Sequence, residues 1–327
     1  MTKKFYLVTG GTGFIGQALV RRLLADGHRV RVLDNDSRGS KARLADVLDD
    51  IELHVADIRD SAAVCKAAAG VDSILHLAYI NGTEFFYSRP EMVLDVGIRG
   101  MLSVVDACRA NGIGEMVLAS SSEVYQTPPL IPTPETVPLT VPDILNPRYS
   151  YGGGKIASEL IAMNYGRTGF ERVLVFRPHN VVGPDMGWEH VLPQFCLRLK
   201  RLCVEHPTGV IPFPLQGDGS ETRAFIDVND FIDGLMLMLA KGEHLNVYHI
   251  GTRAERTIAD AARTVAAYFG REIEIVPGPL QPGGTLRRCP DITKLEALGF
   301  TPATPFAHTV RRLAAWYDAN ADKAPQK

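Results

Sequence analysis

Three glycines spaced three residues apart near the N-terminus constrain the fold of this 327-residue chain most strongly. Gly10, Gly13 and Gly16 directly follow a predicted buried strand at residues 4–9, and helical periodicity begins at residue 17. In a strand, glycine turn and helix of this kind, bare backbone meets a phosphate at the positive N-terminus of the helix. The feature therefore predicts a dinucleotide-binding α/β fold.

One acidic residue bears on the choice of dinucleotide. The second predicted strand, residues 29–33, stops at Asp34, 18 residues after the last glycine. A carboxylate there accepts hydrogen bonds from the adenosine ribose hydroxyls and repels a 2′-phosphate, so Asp34 favours NAD over NADP. Arg38 lies close enough in sequence to weaken this preference. Asp57 and Ile58 follow the third strand, and they either contact adenine or simply form a turn.

Strand and helix patterns alternate through the rest of the chain. Further strands are predicted at residues 52–56, 73–77, 115–120, 172–176 and 246–250. Such alternation is typical of a doubly wound parallel sheet, a Rossmann fold. We expect residues 1–178, with 223–252, to form the NAD-binding domain. A smaller, mostly C-terminal α/β domain, residues 179–222 and 253–327, is expected to bind substrate.

Two regions of the second domain give more specific expectations. Glycine, proline and aromatic residues are scattered through residues 179–220, which predicts an irregular region lining a cleft. The last predicted helix, residues 306–318, carries Trp316 and Tyr317, which we expect to be core anchors rather than ligand contacts.

Composition excludes several classes of function. The chain is 46% hydrophobic and 22% charged with a net charge of -2, and no lysine or arginine run is longer than two. This argues against a nucleic-acid or membrane partner. The five cysteines show no metal-like spacing, so we expect reduced thiols, no metal and a cytoplasmic protein. The apolar run at the N-terminus is too short for a signal peptide.

A tyrosine and a lysine four residues apart are the strongest candidates for chemistry. In Tyr151-Gly152-Gly153-Gly154-Lys155 the two side chains share one face if the segment is helical. An ammonium beside a phenol lowers the tyrosine pKa and makes a proton-transfer unit. The alternative is a glycine-rich loop with both side chains merely exposed. If the segment is helical, the three glycines are expected to place bare backbone close to a bound molecule, since each costs about 1 kcal/mol relative to alanine.

The chain as a whole resembles the extended short-chain dehydrogenase/reductases that act on nucleotide sugars. The motifs that carry the resemblance follow in the family's order over most of the chain: Thr9 to Gly16, His76-Leu77-Ala78, Ser120 to Tyr125, Tyr151 to Lys155, Arg177-Pro178 with Asn180, Gly183-Pro184, and Gly217-Asp218-Gly219 with Arg223.

The resemblance implies a chemical role for several residues. Tyr151 would remove a proton from a sugar hydroxyl, usually at C4, while hydride leaves C4 for the nicotinamide. Lys155 would hold the nicotinamide ribose and lower the Tyr151 pKa, and Ser121 would hydrogen-bond the reacting oxygen. The implied NAD contacts are Gly10, Gly13, Phe14, Ile15, Gly16, Asp34, Asp57, Ile58, Leu77, Ala78, Tyr151 and Lys155.

Contacts to a nucleotide-diphosphate sugar are also implied. Asn180 and Arg223 would bind the diphosphate, with a second contact from Arg288 or its neighbour Arg287. Phe213 either stacks on the nucleotide base or packs in a proline-rich loop. Ser122 stands where some sugar dehydratases have an aspartate and others a serine.

The sequence departs from the family's usual pattern near the expected site. Gln126 replaces a usual glycine, Gly97 replaces an asparagine, and Tyr79 is bulkier than the usual small residue. These departures leave the identity of the substrate open rather than the hydride step.

The type of reaction is not decided by the motifs. An NDP-hexose epimerase is favoured by family frequency and chain length, whereas Glu123, a candidate C5 base, supports a 4,6-dehydratase. Ile156 after the lysine disfavours a decarboxylase, and the intact Ser121, Tyr151 and Lys155 disfavour a non-catalytic NAD-binding protein. The resemblance also implies a homodimer formed through helices at residues 90–110 and 156–165.

Overall fold

The computed structural model of the chain describes residues 2–279 and 285–325. Its strands are β1 (Phe5–Thr9), β2 (Arg29–Asp34), β3 (Ile51–Val55), β4 (Ser73–His76), β5 (Glu115–Ala119), β6 (Arg172–Pro178), β7 (Val181–Val182), β8 (Ile211–Gln216), β9 (Thr222–Ala224), β10 (Ile226–Asp227), β11 (Asn246–Ile250), β12 (Glu255–Thr257), β13 (Ile273–Gly278) and β14 (Arg287–Arg288). Its helices are α1 (Phe14–Ala25), α2 (Ser61–Ala68), α3 (Thr83–Ser88), α4 (Pro90–Asn111), α5 (Ser150–Tyr165), α6 (Val191–Glu205), α7 (Val228–Lys241), α8 (Ile258–Tyr268), α9 (Thr293–Glu296) and α10 (Phe306–Ala319).

A seven-stranded sheet forms the centre of the protein, in the order β11-β6-β5-β4-β1-β2-β3. All neighbouring strands are parallel. This is the strand order of a doubly wound dinucleotide-binding fold with one strand added beyond β6. The predicted fold class is therefore confirmed.

Both faces of this sheet are covered, which explains why its inner strands, such as β1, are mostly apolar and buried. Side chains alternate across a strand, so Phe5 and Leu7 of β1 face α2, α4 and α5, whereas Tyr6 and Val8 face α1 and α7. Sheet and helices thus enclose two apolar layers. The carboxyl ends of the strands meet at one edge, where the glycine turn lies.

A separate apolar core joins α6, α8 and α10 to β8. Helix α6 and strand β8 lie in residues 179–220, so the prediction of an irregular region was wrong. The buried residues of β8 alternate with exposed Pro212 and Pro214, which concealed the strand in the sequence. Proline is tolerated there because β8 pairs only with β13, at the edge of a two-stranded sheet.

Two small strand pairings bring distant segments to the edge of the large sheet. Strand β9 lies between β12 and β14, and β7 pairs with β10. The pairing of β9 with β14 places Arg223 opposite Arg288. The pairing of β7 with β10 lies directly after Asn180, whose carbonyl accepts a hydrogen bond from the Ile226 amide at 3.2 Å.

Several smaller expectations can be compared with the structure. Tyr317 is fully buried and Trp316 packs against the same core, which confirms their role as anchors. All five cysteines are free thiols, three of them buried and two partly exposed. Among the described helices, none combines the length and apolar character needed to cross a bilayer.

Candidate active site

The glycine turn between β1 and α1 is built so that only glycine fits at two of its positions. Gly10 has a φ of +74°, and a Cβ there would lie 2.7 Å from the Ala78 amide nitrogen. A Cβ on Gly16 would lie 2.1 Å from the Gly10 carbonyl oxygen. Gly13 caps α1 without any side-chain hydrogen bond to the helix. The helix N-terminus therefore opens directly onto the groove beside the turn, as an anion site requires.

Asp34 lies at the carboxyl end of β2, on the wall of this groove. It is 9% exposed, and its two carboxylate oxygens accept hydrogen bonds from the backbone amides of Thr12 and Asp36, each at 3.0 Å. These bonds fix the direction of the carboxylate while leaving lone pairs for a ligand. The groove continues past the remaining residues predicted to bind cofactor: Asp57, Ile58, Leu77 and Ala78.

Asp57 has a partner of its own. Its carboxylate accepts hydrogen bonds from the Arg59 guanidinium at 2.7 and 2.9 Å, and Arg59 holds the Asp57 pKa below its usual range. An adenine contact from Asp57 thus has to compete with this ion pair, whereas Ile58 offers the groove only an apolar surface.

Tyr151 and Lys155 lie in the first turns of α5, so the helical interpretation of their segment is confirmed. Both are buried, at 7% and 3% exposure, and both line a cavity of about 430 Å³ that adjoins the cofactor groove. The Tyr151 ring stacks on Phe86, with centroids 4.8 Å apart. Ser121, after β5, is close enough to Tyr151 to lower its pKa, and its hydroxyl oxygen accepts a hydrogen bond from the Glu123 amide at 3.1 Å. Three of the four predicted catalytic residues thus converge, and the fourth, Glu123, lines the same cavity.

Burial controls the titration of this pair. Burial raises the pKa of Tyr151, although Ser121 acts to lower it. Burial also lowers the pKa of Lys155 to about 7, although the negative charge of Glu159 acts to raise it. The expected lowering of the Tyr151 pKa by Lys155 is not seen in the free protein. The ammonium donates instead to the Ala119 carbonyl at 2.7 Å.

The glycines between Tyr151 and Lys155 have a different purpose from the one expected. A Cβ on Gly152 would lie 2.6 Å from Nε2 of Gln126, and one on Gly154 would lie 2.2 Å from the Tyr79 hydroxyl oxygen. Side chains of the protein itself therefore fill the space above these two glycines, and the prediction that they make room for a ligand was wrong. Gly153 meets only Val141, at an ordinary 3.5 Å.

One carboxylate that lines the cavity has several cations near it. Arg288 donates to Glu123 at 2.6 Å. Burial acts to raise the Glu123 pKa, but Arg288, Arg148 and Arg223 together hold it below its usual value. Burial and the nearby Arg288 lower the pKa of Arg223 to about 10, and its guanidinium donates only to backbone carbonyls in the described residues. Arg288 lines the cavity beside Glu123, whereas Arg148 and Arg223 act on Glu123 from outside the lining, and the three positive charges together make this region attractive to anions.

The predicted substrate residues do not all reach this cavity. Asn180, Ser122 and Arg288 line it, whereas Arg223 lies outside its lining and Arg287 turns away to pair with Glu255 at 2.6 Å. Phe213 is fully buried in the second core, edge-on to Phe195 at 5.3 Å. The proposed stacking of Phe213 on a base was therefore wrong, because no face of its ring is accessible, and its alternative, simple packing, is correct.

Sequence reasoning missed several residues that shape the site. Phe86 and Tyr79 contact Tyr151, and a buried ion pair between Glu159 and Arg177 lies behind Ser120. The sequence signal that could have revealed the position of Tyr79 was the presence of two unusual residues, Tyr79 and Gly97. A Cβ on Gly97 would lie 2.2 Å from the Tyr79 hydroxyl, so the large and the small residue occupy one space.

Comparison with known proteins agrees with this geometry. The model of the NAD dependent epimerase/dehydratase family matches residues 6–251. The chain is 30% identical to a dTDP-4-dehydro-6-deoxy-D-allose reductase of Streptomyces bikiniensis, in an alignment that covers 95% of each chain. A dTDP-glucose 4,6-dehydratase from Streptomyces venezuelae, crystallised with NAD, is similar in structure, with a TM-score of 0.84, 29% identity and 98% of each chain covered. A Thermus thermophilus UDP-glucose 4-epimerase in complex with NAD has a TM-score of 0.82 and 27% identity, covering 96% of this chain and 99% of the epimerase.

Proposed function

This chain belongs to the NAD dependent epimerase/dehydratase family, and from that premise we propose that it epimerises a nucleotide-diphosphate hexose at C4. The convergence of Ser121, Tyr151 and Lys155 at the junction of a dinucleotide groove and a cationic cavity is the observation that carries the proposal.

The residues around the groove fit NAD as the cofactor. Gly10 and Gly16 form a cradle that a Cβ would fill, and the uncapped start of α1 faces it. The oriented Asp34 carboxylate is placed for ribose hydroxyls and disfavours a 2′-phosphate. Bound NAD would supply a reversible acceptor for the hydride of C4.

The protein side of the chemistry is a proton transfer. Tyr151 as phenolate takes the proton of the C4 hydroxyl while hydride leaves C4, so that the C4–O bond becomes a carbonyl. Ser121 donates to the reacting oxygen, and a charged Lys155 stabilises the phenolate. Returning hydride and proton to the 4-keto sugar, after the sugar turns its other face, inverts C4 without change in composition.

Charge supports a diphosphate near Glu123. Arg288 lines the cavity there, Arg223 and Arg148 are close enough to lower the Glu123 pKa, and guanidinium groups suit phosphate oxygens. A neutral sugar alone would leave an excess of positive charge that Glu123 and Glu221 offset only in part.

A 4,6-dehydratase is the second candidate, because Glu123 lines the same cavity as Tyr151. As C5 base, Glu123 would take the C5 proton, which the 4-keto group acidifies, and pass it to the C6 hydroxyl, which leaves as water. The hydride taken from C4 would then return to C6, and a proton to C5. In this structure Arg288 occupies one of the Glu123 oxygens and holds the Glu123 pKa down against the effect of burial, which makes Glu123 a weak base until Arg288 moves. That favours the epimerase.

Product mass separates the two reactions. The purified protein with NAD is incubated with UDP-, dTDP-, GDP- and CDP-hexoses, and products are analysed by mass spectrometry and NMR. An epimer of unchanged mass supports the proposal, whereas a product lighter by one water establishes the dehydratase instead. Tyr151→Phe keeps the ring packing and should lower turnover roughly 10²- to 10⁴-fold. Full turnover in that variant would contradict the assigned base.

A homodimer remains a further proposal. Helices α4 and α5 pack against each other, and α5 exposes Leu160 and Tyr165, at 60% and 40%. Sedimentation of the wild-type protein and of Leu160→Glu tests it. A wild-type monomer would contradict this assembly.

A further inference from the structure

The ammonium of Lys155 lies over an aromatic ring that the expected catalytic unit does not include. Its Nζ is 3.8 Å from the centroid of the Tyr79 ring and 5.8 Å from that of Tyr151. The Tyr79 ring in turn meets the Tyr151 ring edge-on, with centroids 5.2 Å apart at 86°. We propose that Tyr79 is a positioning residue, whose ring face holds the charged Lys155 beside Tyr151.

Two glycines on different helices keep the Tyr79 ring in this place. Its hydroxyl lies between Gly97 of α4 and Gly154 of α5, and a Cβ on either would stand 2.2 Å from the hydroxyl oxygen. The hydroxyl is buried without a hydrogen-bond partner among the described residues. An unpartnered buried hydroxyl costs stability, so the hydroxyl does not explain the placement of Tyr79, whereas its ring contacts Lys155.

The surroundings of Lys155 explain why such support matters. On α5 it faces Tyr151 and Glu159, on β4 the buried His76, and on β5 the Ala119 carbonyl. His76 is held neutral by burial and by Lys155, with a pKa of about 3. Among the described residues, Glu159 is the carboxylate that favours the ammonium, and it is shared with Arg177 and Ser120. The face of an aromatic ring attracts a cation more strongly when both are out of water.

The catalytic meaning of this contact rests on the proposed function, but the contact itself can be tested without substrate. Protein containing ¹³C-labelled lysine is titrated by NMR, and the Lys155 signal is assigned by its loss in Lys155→Met. Removing the ring in Tyr79→Leu should lower the Lys155 pKa by about one unit. Tyr79→Phe keeps the ring and should leave the pKa unchanged. Phe86→Leu, which alters the other face of Tyr151, is the matched control and should also leave it unchanged.

A second pair of variants preserves the shape of the side chain in case Tyr79→Leu does not fold. Phenylalanine and pentafluorophenylalanine at position 79 occupy nearly the same space, but fluorination reverses the charge distribution of the ring face. The fluorinated ring should lower the Lys155 pKa relative to phenylalanine. An equal pKa in the two proteins, or a pKa that stays the same or rises in folded Tyr79→Leu, would overturn the proposal.

Turnover then links the contact to the reaction. If the proposed function holds, the alkaline limb of the pH profile of kcat should move to lower pH in Tyr79→Leu. This shift should equal the decrease in the Lys155 pKa measured by NMR, and the KM for nucleotide sugar should be unchanged. Should no nucleotide sugar react while the NMR shift is still present, the proposed function fails and the positioning role stands. An unshifted alkaline limb despite a shifted Lys155 pKa would overturn the link to catalysis.

Discussion

Gln126 covers the bare backbone of Gly152. Its Nε2 donates to the Glu123 carbonyl at 2.6 Å and occupies the position that a Cβ on Gly152 would need. Gln126 also adopts a φ of +52°, in the left-handed region where glycine is usual. The unusual residue at 126 and the glycine at 152 are thus two halves of one contact.

This contact predicts opposite effects for two neighbouring glycines. In Gly152→Ala the new methyl meets Gln126 and also stands 2.9 Å from the Glu123 carbonyl oxygen, so backbone has to shift. We expect the free energy of unfolding to fall by about 1–3 kcal/mol. Gly153→Ala, the matched control, meets only Val141 at 3.5 Å and should raise it by up to about 1 kcal/mol. Thermal and urea unfolding measure both, and equal effects would contradict the packing described.

Phe213 is predicted to matter for stability rather than for recognition. Because its ring is fully buried against Phe195, Phe213→Ala leaves a cavity and should lower the free energy of unfolding by roughly 3–5 kcal/mol. Phe213→Leu should cost less. The relative activity toward UDP- and dTDP-sugars is expected to stay the same in the leucine variant, and a change in this preference would indicate a nucleotide contact after all.

The pair formed by Glu123 and Arg288 predicts a dependence of stability on pH. The Glu123 pKa is lowered in the folded protein, so the pair stabilises the fold above the ordinary carboxyl pKa of 4.5 and ceases to do so as the pH falls through the lowered value. Glu123→Gln should therefore be less stable than wild type at pH 7, and the difference should shrink on acidification. Urea unfolding at a series of pH values measures it. A difference that is constant with pH would show that the carboxylate is not paired in solution.

Asp34 is predicted to govern the affinity for the dinucleotide. Asp34→Asn keeps an oxygen for one of the two backbone amides but removes the charge, and hydrogen bonds to a charged group contribute about 1.5–3 kcal/mol. NAD binding should weaken by about 10- to 100-fold, while discrimination against NADP should fall as the repulsion of a 2′-phosphate is lost. Calorimetric titration with each dinucleotide measures both. Unchanged NAD affinity would place the ribose elsewhere.

The elements that could be predicted from the sequence are those whose signal is local. The strand, glycine turn and helix around Gly10, and the common helix face of Tyr151 and Lys155, follow from spacing within a few residues. Helix α6 has an equally local signal, but it was hidden by the surrounding prolines and glycines, and Pro212 and Pro214 hid β8 in the same way.

Side-chain directions and contacts between distant segments could not be predicted in this way. The sequence did not decide between Arg287 and Arg288, because that choice depends on the pairing of β14 with β9, which turns one arginine toward Glu255 and the other toward Glu123. Nor did it show that Phe213 would face a core rather than a cleft.

By itself, therefore, the sequence determined the seven strands of the central sheet, the glycine cradle with Asp34 beside it, and the grouping of Tyr151 with Lys155. Only the tertiary structure decided what surrounds that pair. Tyr79 and Gln126 come from loops far from α5 in the chain, and packing against Gly154 and Gly152 selects their positions. Spacing along a chain specifies which side chains share a face, whereas close packing between segments specifies what that face meets.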